Sequence, residues 1–417
     1  MKNQLMLSAL TLALSTSVTC NAVAKEVEVL HWWTSGSEAT ALNVLKDDLQ
    51  TKGFEWKDMP VAGGGGEGAM TTLKARVTAG NPPSAGQLLG MAVQDWANEG
   101  WLGDISTVAE EQQWDKVIPS AVKEFALHDN KWVAVPVNIH RPNWLWINSE
   151  IFQKYDLIPP STWEEFNKVA STLQAKGVTP LAHGGQPWQD VTIFDDVVLG
   201  IGGPDFYRSA IHDLDPNALK SSTMLQVFEQ MRVIRGFVDD DFSGRDWNLA
   251  TSMLMNGQAA MQLMGDWAKG EMTRAGVTPG KEILCVPAPS TSGSFLFISD
   301  FFAGFNVGPD KQAAQQALAA SVLSKPFQEE FNLVKGSIPA RTDISRANFD
   351  ACGQKAMDDL AEAQKNGTLI GSLAHGTAQS ASVQKAIFDV VTEHFNSDMS
   401  SSEAVELLSL SIQDAML

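Results

Sequence analysis

The chain has 417 residues, with 49 Asp and Glu against 30 Lys and Arg, a formal charge of −19 and no lysine or arginine cluster, so nucleic acid and anionic membrane are poor partners. Past the first two dozen residues no stretch approaches the roughly 20 uninterrupted apolar residues that a spanning helix needs. The roughly 390 residues that remain exceed one ordinary core, and two domains are the expectation.

The N-terminus carries Lys2, an apolar run over residues 5–14 and then Ala22-Val23-Ala24. This pattern is that of a secretory signal peptide cleaved after Ala24, which directs the mature chain to the periplasm. Ser17-Val18-Thr19, ahead of Cys20, lacks the apolar and small pattern of a lipoprotein cleavage site. Loss of Cys20 leaves Cys285 and Cys352, an even pair in an oxidising compartment; one disulfide and two buried thiols are both open at this stage.

Val27-Glu28-Val29-Leu30 alternates and reaches His31-Trp32-Trp33, Thr34-Ser35-Gly36-Ser37 breaks the pattern, and Leu42, Leu45 and Leu49 begin a helical period. The reading is strand, loop, helix. Gly53 closes that helix, residues 54–61 read as a second strand, and residues 69–78 as a second helix ended by Gly80. Residues 86–91 form a third strand, followed by a helix around Asp95-Trp96. Such βαβαβα alternation implies a doubly wound sheet with helices on both faces.

Residues 133–140 make an apolar strand interrupted by Pro136 and lead into another strand over 143–148. A proline there marks an edge or a crossing between lobes. Pro159-Pro160 stops the chain, Ser161 with Glu164 predicts a capping box, and residues 163–176 a helix ended by Gly177. Further α/β pattern covers 259–267 and 283–287. A strand-like run over 295–307, a helix over 311–323 and amphipathic helices over 383–395 and 402–416 complete the chain.

Ligands of open α/β sheets sit outside the carboxyl ends of the strands, and Trp32-Trp33 occupies that end of the first strand. Adjacent residues on a strand face opposite sides, so the two rings do not serve one core face; a core role and a binding role both remain open for them. There are 13 Trp against 2 Tyr, and Trp188, Trp247 and Trp267 stand beside polar breaks. An indole offers a flat face to the C–H side of a sugar, whereas Trp56, Trp96, Trp101, Trp132 and Trp163 read as packing residues.

The run Gly63-Gly64-Gly65-Gly66 precedes Glu67, which would repel a phosphate, and lacks the Gly-Lys-Ser/Thr ending of a nucleotide loop. It reads as a flexible loop bordering the cleft. Seven histidines and three cysteines include no metal-spaced cluster and the chain has no Gly-x-Ser-x-Gly elbow, so no metal, cofactor or serine-hydrolase chemistry is expected. A glycosidase needs only two carboxylates across one bond, and a secreted glycosidase acting on oligosaccharides is therefore the enzyme alternative.

Leu30-His31-Trp32-Trp33, the segment from Val135 through Pro136, Asn138 and His140 to Arg141, Met264-Gly265-Asp266-Trp267, Lys335-Gly336-Ser337-Ile338-Pro339-Ala340-Arg341 and Gly371-Ser372-Leu373-Ala374-His375-Gly376 occur in that order. Together they make the chain resemble the glucose-binding branch of the family 1 extracellular solute-binding proteins of ABC sugar importers, over nearly its whole mature length.

The resemblance implies an α/β fold of the periplasmic-binding-protein type II class, with two lobes joined by crossing hinge segments. Residues 25–135 and 288–338 would form the N-terminal lobe, and residues 136–287 and 339–417 the C-terminal lobe. It implies a non-enzymatic receptor, a monomer, that presents a monosaccharide to membrane permease subunits and their cytoplasmic ATPase. Glucose is expected first, then mannose or galactose. Trp33 and Trp267 match rings that sandwich the sugar, and Trp32 and Trp247 match further walls. Glu38 and Gln87 match polar contacts; Asp300, Lys335 and His375 match partners of the hydroxyls, with the charges of Asp300 and Lys335 offsetting each other. Leu89 departs from relatives that carry a polar side chain there.

Overall fold

The computed structural model describes residues 25–417; the expected signal peptide, its cleavage after Ala24 and Cys20 lie outside the described residues. The first strand, Lys25–His31, pairs in parallel with Phe54–Pro60 along its whole length and with Ala85–Leu89 on its other side. Between the first two strands the chain runs through the helix Gly36–Thr51. Ser35 and Glu38 form a reciprocal capping box there, and Ala41, Leu42, Leu45 and Leu49 bury its apolar stripe. Asp300–Gly304 joins Ala85–Leu89 antiparallel and Val135–Pro136 closes the edge, giving a five-stranded sheet. Pro136 at the edge leaves no interior ladder bond unmade.

A second sheet has the order Ile283–Pro287, Trp144–Asn148, Ala259–Leu263, Thr179–Leu181. Its core face is covered by the helices Pro187–Tyr207, Ser222–Arg235, Ala381–Asn396 and Ser401–Ala415, which pack on one another. Two cores result. One includes Val29, Leu45, Phe302 and Phe331; the other includes Leu145, Phe194, Phe228 and Val391. Among the described residues no helix is long and apolar enough to cross a membrane.

The chain passes between the sheets through three neighbouring segments. Ile139 and Ile338 exchange backbone hydrogen bonds of 2.8 and 3.0 Å, His140 and Ile298 exchange bonds of 2.9 and 3.2 Å, and Val137 N–H donates to Asp300 C=O at 2.8 Å. These short crossings set the spacing of the two sheets, with a cleft between them.

Three local expectations need correction. The apolar run 295–307 is two strands in two sheets: Phe295–Phe297 pairs in parallel with Leu369–Gly371, whereas Asp300–Gly304 belongs to the five-stranded sheet. The break comes at Ser299, whose hydroxyl donates to Asn138 C=O at 2.6 Å and takes the chain across. The stretch 133–140 is strand only at Val135–Pro136, because beyond it the backbone pairs with the other crossings. The cap at 161–165 is shifted by one residue: Thr162 is the N-cap, accepting from Glu165 N–H, and the Glu165 carboxylate reaches back to Ser161. Cys285 and Cys352 are joined in a disulfide.

Candidate ligand-binding site

A cavity of about 180 Å³ opens beyond the carboxyl end of Lys25–His31, between the two sheets. Eight of the nine residues singled out in the sequence line it: Trp32, Trp33, Glu38, Trp247, Trp267, Asp300, Lys335 and His375. They arrive from distant stretches. Trp247 heads the helix Trp247–Met255, Trp267 precedes Ala268–Arg274, Asp300 opens its strand, Lys335 ends Lys325–Lys335 and His375 follows Leu369–Gly371.

Gln87, the ninth, is fully buried behind the wall. Its Nε2 donates to Asp300 Oδ1 at 2.7 Å and its Oε1 accepts from Trp32 N–H at 3.1 Å. Gln87 therefore holds a wall residue on each side and does not face the cavity itself.

The two tryptophans that end the first strand diverge. Trp33 is 2 % exposed and packs edge-on against Phe302 at 5.6 Å and tilted against Phe331 at 5.3 Å, with Lys335 Nζ 5.6 Å from its ring. Most of it is core. Trp32, at 8 %, lies instead against the glycine loop, where a Cβ on Gly66 would come within 3.1 Å of its ring. That loop also covers Trp188: a Cβ on Gly64 would be 2.8 Å from the indole. The glycine run is thus what lets backbone approach two indoles that border the cleft.

Trp267 forms the opposite wall with His375 at 5.0 Å, His140 at 5.3 Å and Trp188 at 6.1 Å between ring centroids. Its Nε1–H is buried with no acceptor among the described residues. A buried donor in that position carries a cost unless something accepts from it.

Polar groups form two separate clusters. Lys335 Nζ donates to Glu38 Oε1 at 3.0 Å, while Glu38 Oε2 accepts from Thr34 N–H and Ser35 N–H at 3.1 Å each. Asp300 accepts from Gln87, from Asn138 Nδ2 at 2.9 Å, and lies 3.3 Å from His140 Nε2. The contacts are distributed otherwise than a direct Asp300–Lys335 pair: Glu38 is the ion-pair partner of Lys335, the His140 ring is in contact with Asp300, and the Lys335 charge offsets Asp300 through space. Burial pushes the Asp300 carboxyl up, but the His140 hydrogen bond and charge, then Lys335, hold it below its ordinary value. His375 is driven to about 3 by burial and then by the field of His140, so it is neutral at ordinary pH and has both a donor and an acceptor nitrogen.

His140, Trp188, Asp246 and Asn248 also line the cavity and were given no binding role from sequence. Trp188 stood out only as a tryptophan beside a polar break, and no sequence signal marked Asp246 or Asn248 as wall residues. Leu89 reaches the wall as well, opposite Asp300 in the strand register.

Residues 38–322 match the model of the bacterial extracellular solute-binding proteins. The chain belongs to that family. As a solute-binding protein it is not an enzyme, and the glycosidase alternative falls with that membership. A probable sugar-binding periplasmic protein of Brucella melitensis is 54 % identical over 396 residues, covering 95 % of this chain and 94 % of the relative. One of the same description from Rhizobium meliloti is 53 % identical over 403 residues and 97 % of each chain. The solved structure of the bacterial solute receptor AcbH, whose substrate preference is for β-D-galactopyranose, superposes with a TM-score of 0.79 over 94 % of this chain and 99 % of that one, at 16 % identity. The solute-binding protein therefore has the periplasmic-binding-protein type II fold.

Proposed function

We propose that this chain is the periplasmic sugar receptor of an ABC importer and that it closes on a single hexopyranose, glucose first. The observation that carries this reading is a cavity of about 180 Å³ bordered by Trp32, Trp188, Trp247 and Trp267, with Asp300, Lys335 and His375 on its wall. A dry cavity of about 150 Å³ accommodates one benzene ring, so this one suits one six-membered ring with its hydroxyls better than an oligosaccharide. Indole faces take the C–H side of a pyranose, Asp300 accepts from hydroxyls, and Lys335 and neutral His375 donate to them.

In this reading residues 25–135 with 288–338 and residues 136–287 with 339–417 move as lobes about the crossings, a hinge closure that buries the sugar. The closed monomer is what the permease subunits meet, and ATP is consumed by separate cytoplasmic subunits. The relatives described as sugar-binding and periplasmic support the class. Galactose and mannose stay in the comparison because AcbH prefers β-D-galactopyranose and because Leu89 removes a hydrogen bond that would help to choose among epimers.

Native mass spectrometry of the protein as purified, with identification of any sugar it carries, tests the class. Calorimetry on refolded, sugar-free protein with glucose, mannose, galactose and maltose then ranks the ligands. The expected result is a hexose bound at about micromolar Kd, equivalent to about −8.2 kcal/mol, with glucose tightest. Absence of heat and of thermal shift for every hexose and disaccharide would overturn the reading.

A further inference from the structure

His140 lies on the first crossing, and its ring touches both halves of the cleft. Nδ1 is hydrogen-bonded to Asp266 Oδ1, and Asp266 immediately precedes Trp267. Nε2 stands 3.3 Å from Asp300 Oδ2 and 3.1 Å from Asn138 Nδ2. The backbone strengthens both links: Arg141 N–H donates to Asp266 Oδ2 at 3.0 Å, and Asp300 N–H donates to Asn138 Oδ1 at 3.0 Å. His140 is 1 % exposed, so these carboxylates are its surroundings in place of water.

We propose that His140 is the positioning residue of the sugar site: its ring joins the carboxylate that carries Trp267 to the carboxylate that accepts sugar hydroxyls, and sugar affinity depends on its positive charge. The proposal rests on the sugar-receptor reading. Its physical basis is the choice open to Nε2. When both ring nitrogens are protonated, Nε2–H donates to Asp300. When the ring is neutral with its proton on Nδ1, Nε2 accepts from Asn138 instead, and Asp300 loses a donor and its contacting cation.

The charges around the ring make that loss matter. Asp266, Asp300 and Lys335 face it, His375 lies beyond Trp267, and Lys335 is already paired with Glu38. Asp246, at the far wall, accepts from Gln186 at 2.6 Å and adds another negative group. Neutralising His140 leaves two buried carboxylates without a contacting cation, and closing the cleft over them then costs more because water no longer solvates them. Burial lowers the imidazole's pKa, but Asp266 and then Asp300 more than reverse this and raise it above the ordinary 6.5. The favourable charge is thus lost as pH rises through the raised value.

Calorimetric titration with glucose, or with the hexose bound tightest, from about pH 6 to about pH 9 tests this. Wild type should weaken by about tenfold across the alkaline limb, and buffers of different ionisation heat should reveal proton uptake on binding in that range. His140→Gln should bind weakly at every pH, with a flat profile and no proton uptake. Wild-type affinity that stays constant with no proton uptake overturns the proposal, whatever the variant does. A His140→Gln protein that fails to fold leaves the wild-type profile and proton count as the deciding measurements. Failure of all sugars to bind wild type at any pH would instead sink the receptor reading itself.

Discussion

Trp33 and Trp267 both reach the cleft, but their surroundings assign them different consequences. Trp33 is wedged between Phe302 and Phe331, so Trp33→Ala should cost about 3 to 5 kcal/mol of stability, as large-to-small changes of buried aromatics do. Scanning calorimetry would show a lowered melting temperature without sugar. Trp267 meets His140, His375 and Trp188, and its truncation removes a wall and a free indole donor. Trp267→Ala should therefore weaken sugar affinity far more than Trp163→Ala, since Trp163 packs on Phe166 outside the cleft. Equal losses in titration calorimetry would mean that the cleft is not the binding site. The sequence made the residue types of this site visible but not their pairing. Lys335 and Glu38 are separated by 297 positions, and no local pattern reports which of several carboxylates a distant lysine meets.

At the level of elements, alternation and helical period revealed the first βαβαβα half because each element there packs with its sequence neighbours. The same signal misled over residues 295–307. Periodicity reports burial, and both strands of that run are buried, although one belongs with Leu369–Gly371 and the other with Ala85–Leu89. The glycine loop was legible as a cleft border, but its reason was not, since Trp188 lies more than a hundred residues away in sequence. Gly64 supplies the test. A Cβ there meets the Trp188 indole at 2.8 Å, whereas one on Gly68 meets its nearest atoms at 3.6 Å. Gly64→Ala should lift the loop and weaken sugar binding by several-fold, with the sugar-free protein destabilised by no more than the roughly 1 to 3 kcal/mol of an overpacked contact. Gly68→Ala should leave affinity unchanged. If Gly64→Ala binds as wild type does, the loop yields freely and its approach to Trp188 plays no part in recognition.

For the whole molecule, the disulfide sits where the chain's excursion from the second sheet begins and ends. Cys285 is on the edge strand Ile283–Pro287, Cys352 starts the helix Ala351–Asn366, and the intervening chain makes two of the three crossings and the strand Asp300–Gly304. Closing a separation of 67 residues should restrict the unfolded chain by about 4 kcal/mol on the entropic account. The double variant Cys285→Ser, Cys352→Ser should accordingly melt several degrees lower in scanning calorimetry. Neither sulfur lines the cleft, so its sugar affinity should match that of wild type. Saturating sugar at about 100 Kd adds about 2.7 kcal/mol to any form that binds equally well, and both proteins should gain the same increment. The gap in melting temperature should then persist with and without sugar. If sugar closed the gap, the disulfide would be acting on the closure of the lobes, and its place at the ends of the excursion would have to be read as part of the hinge.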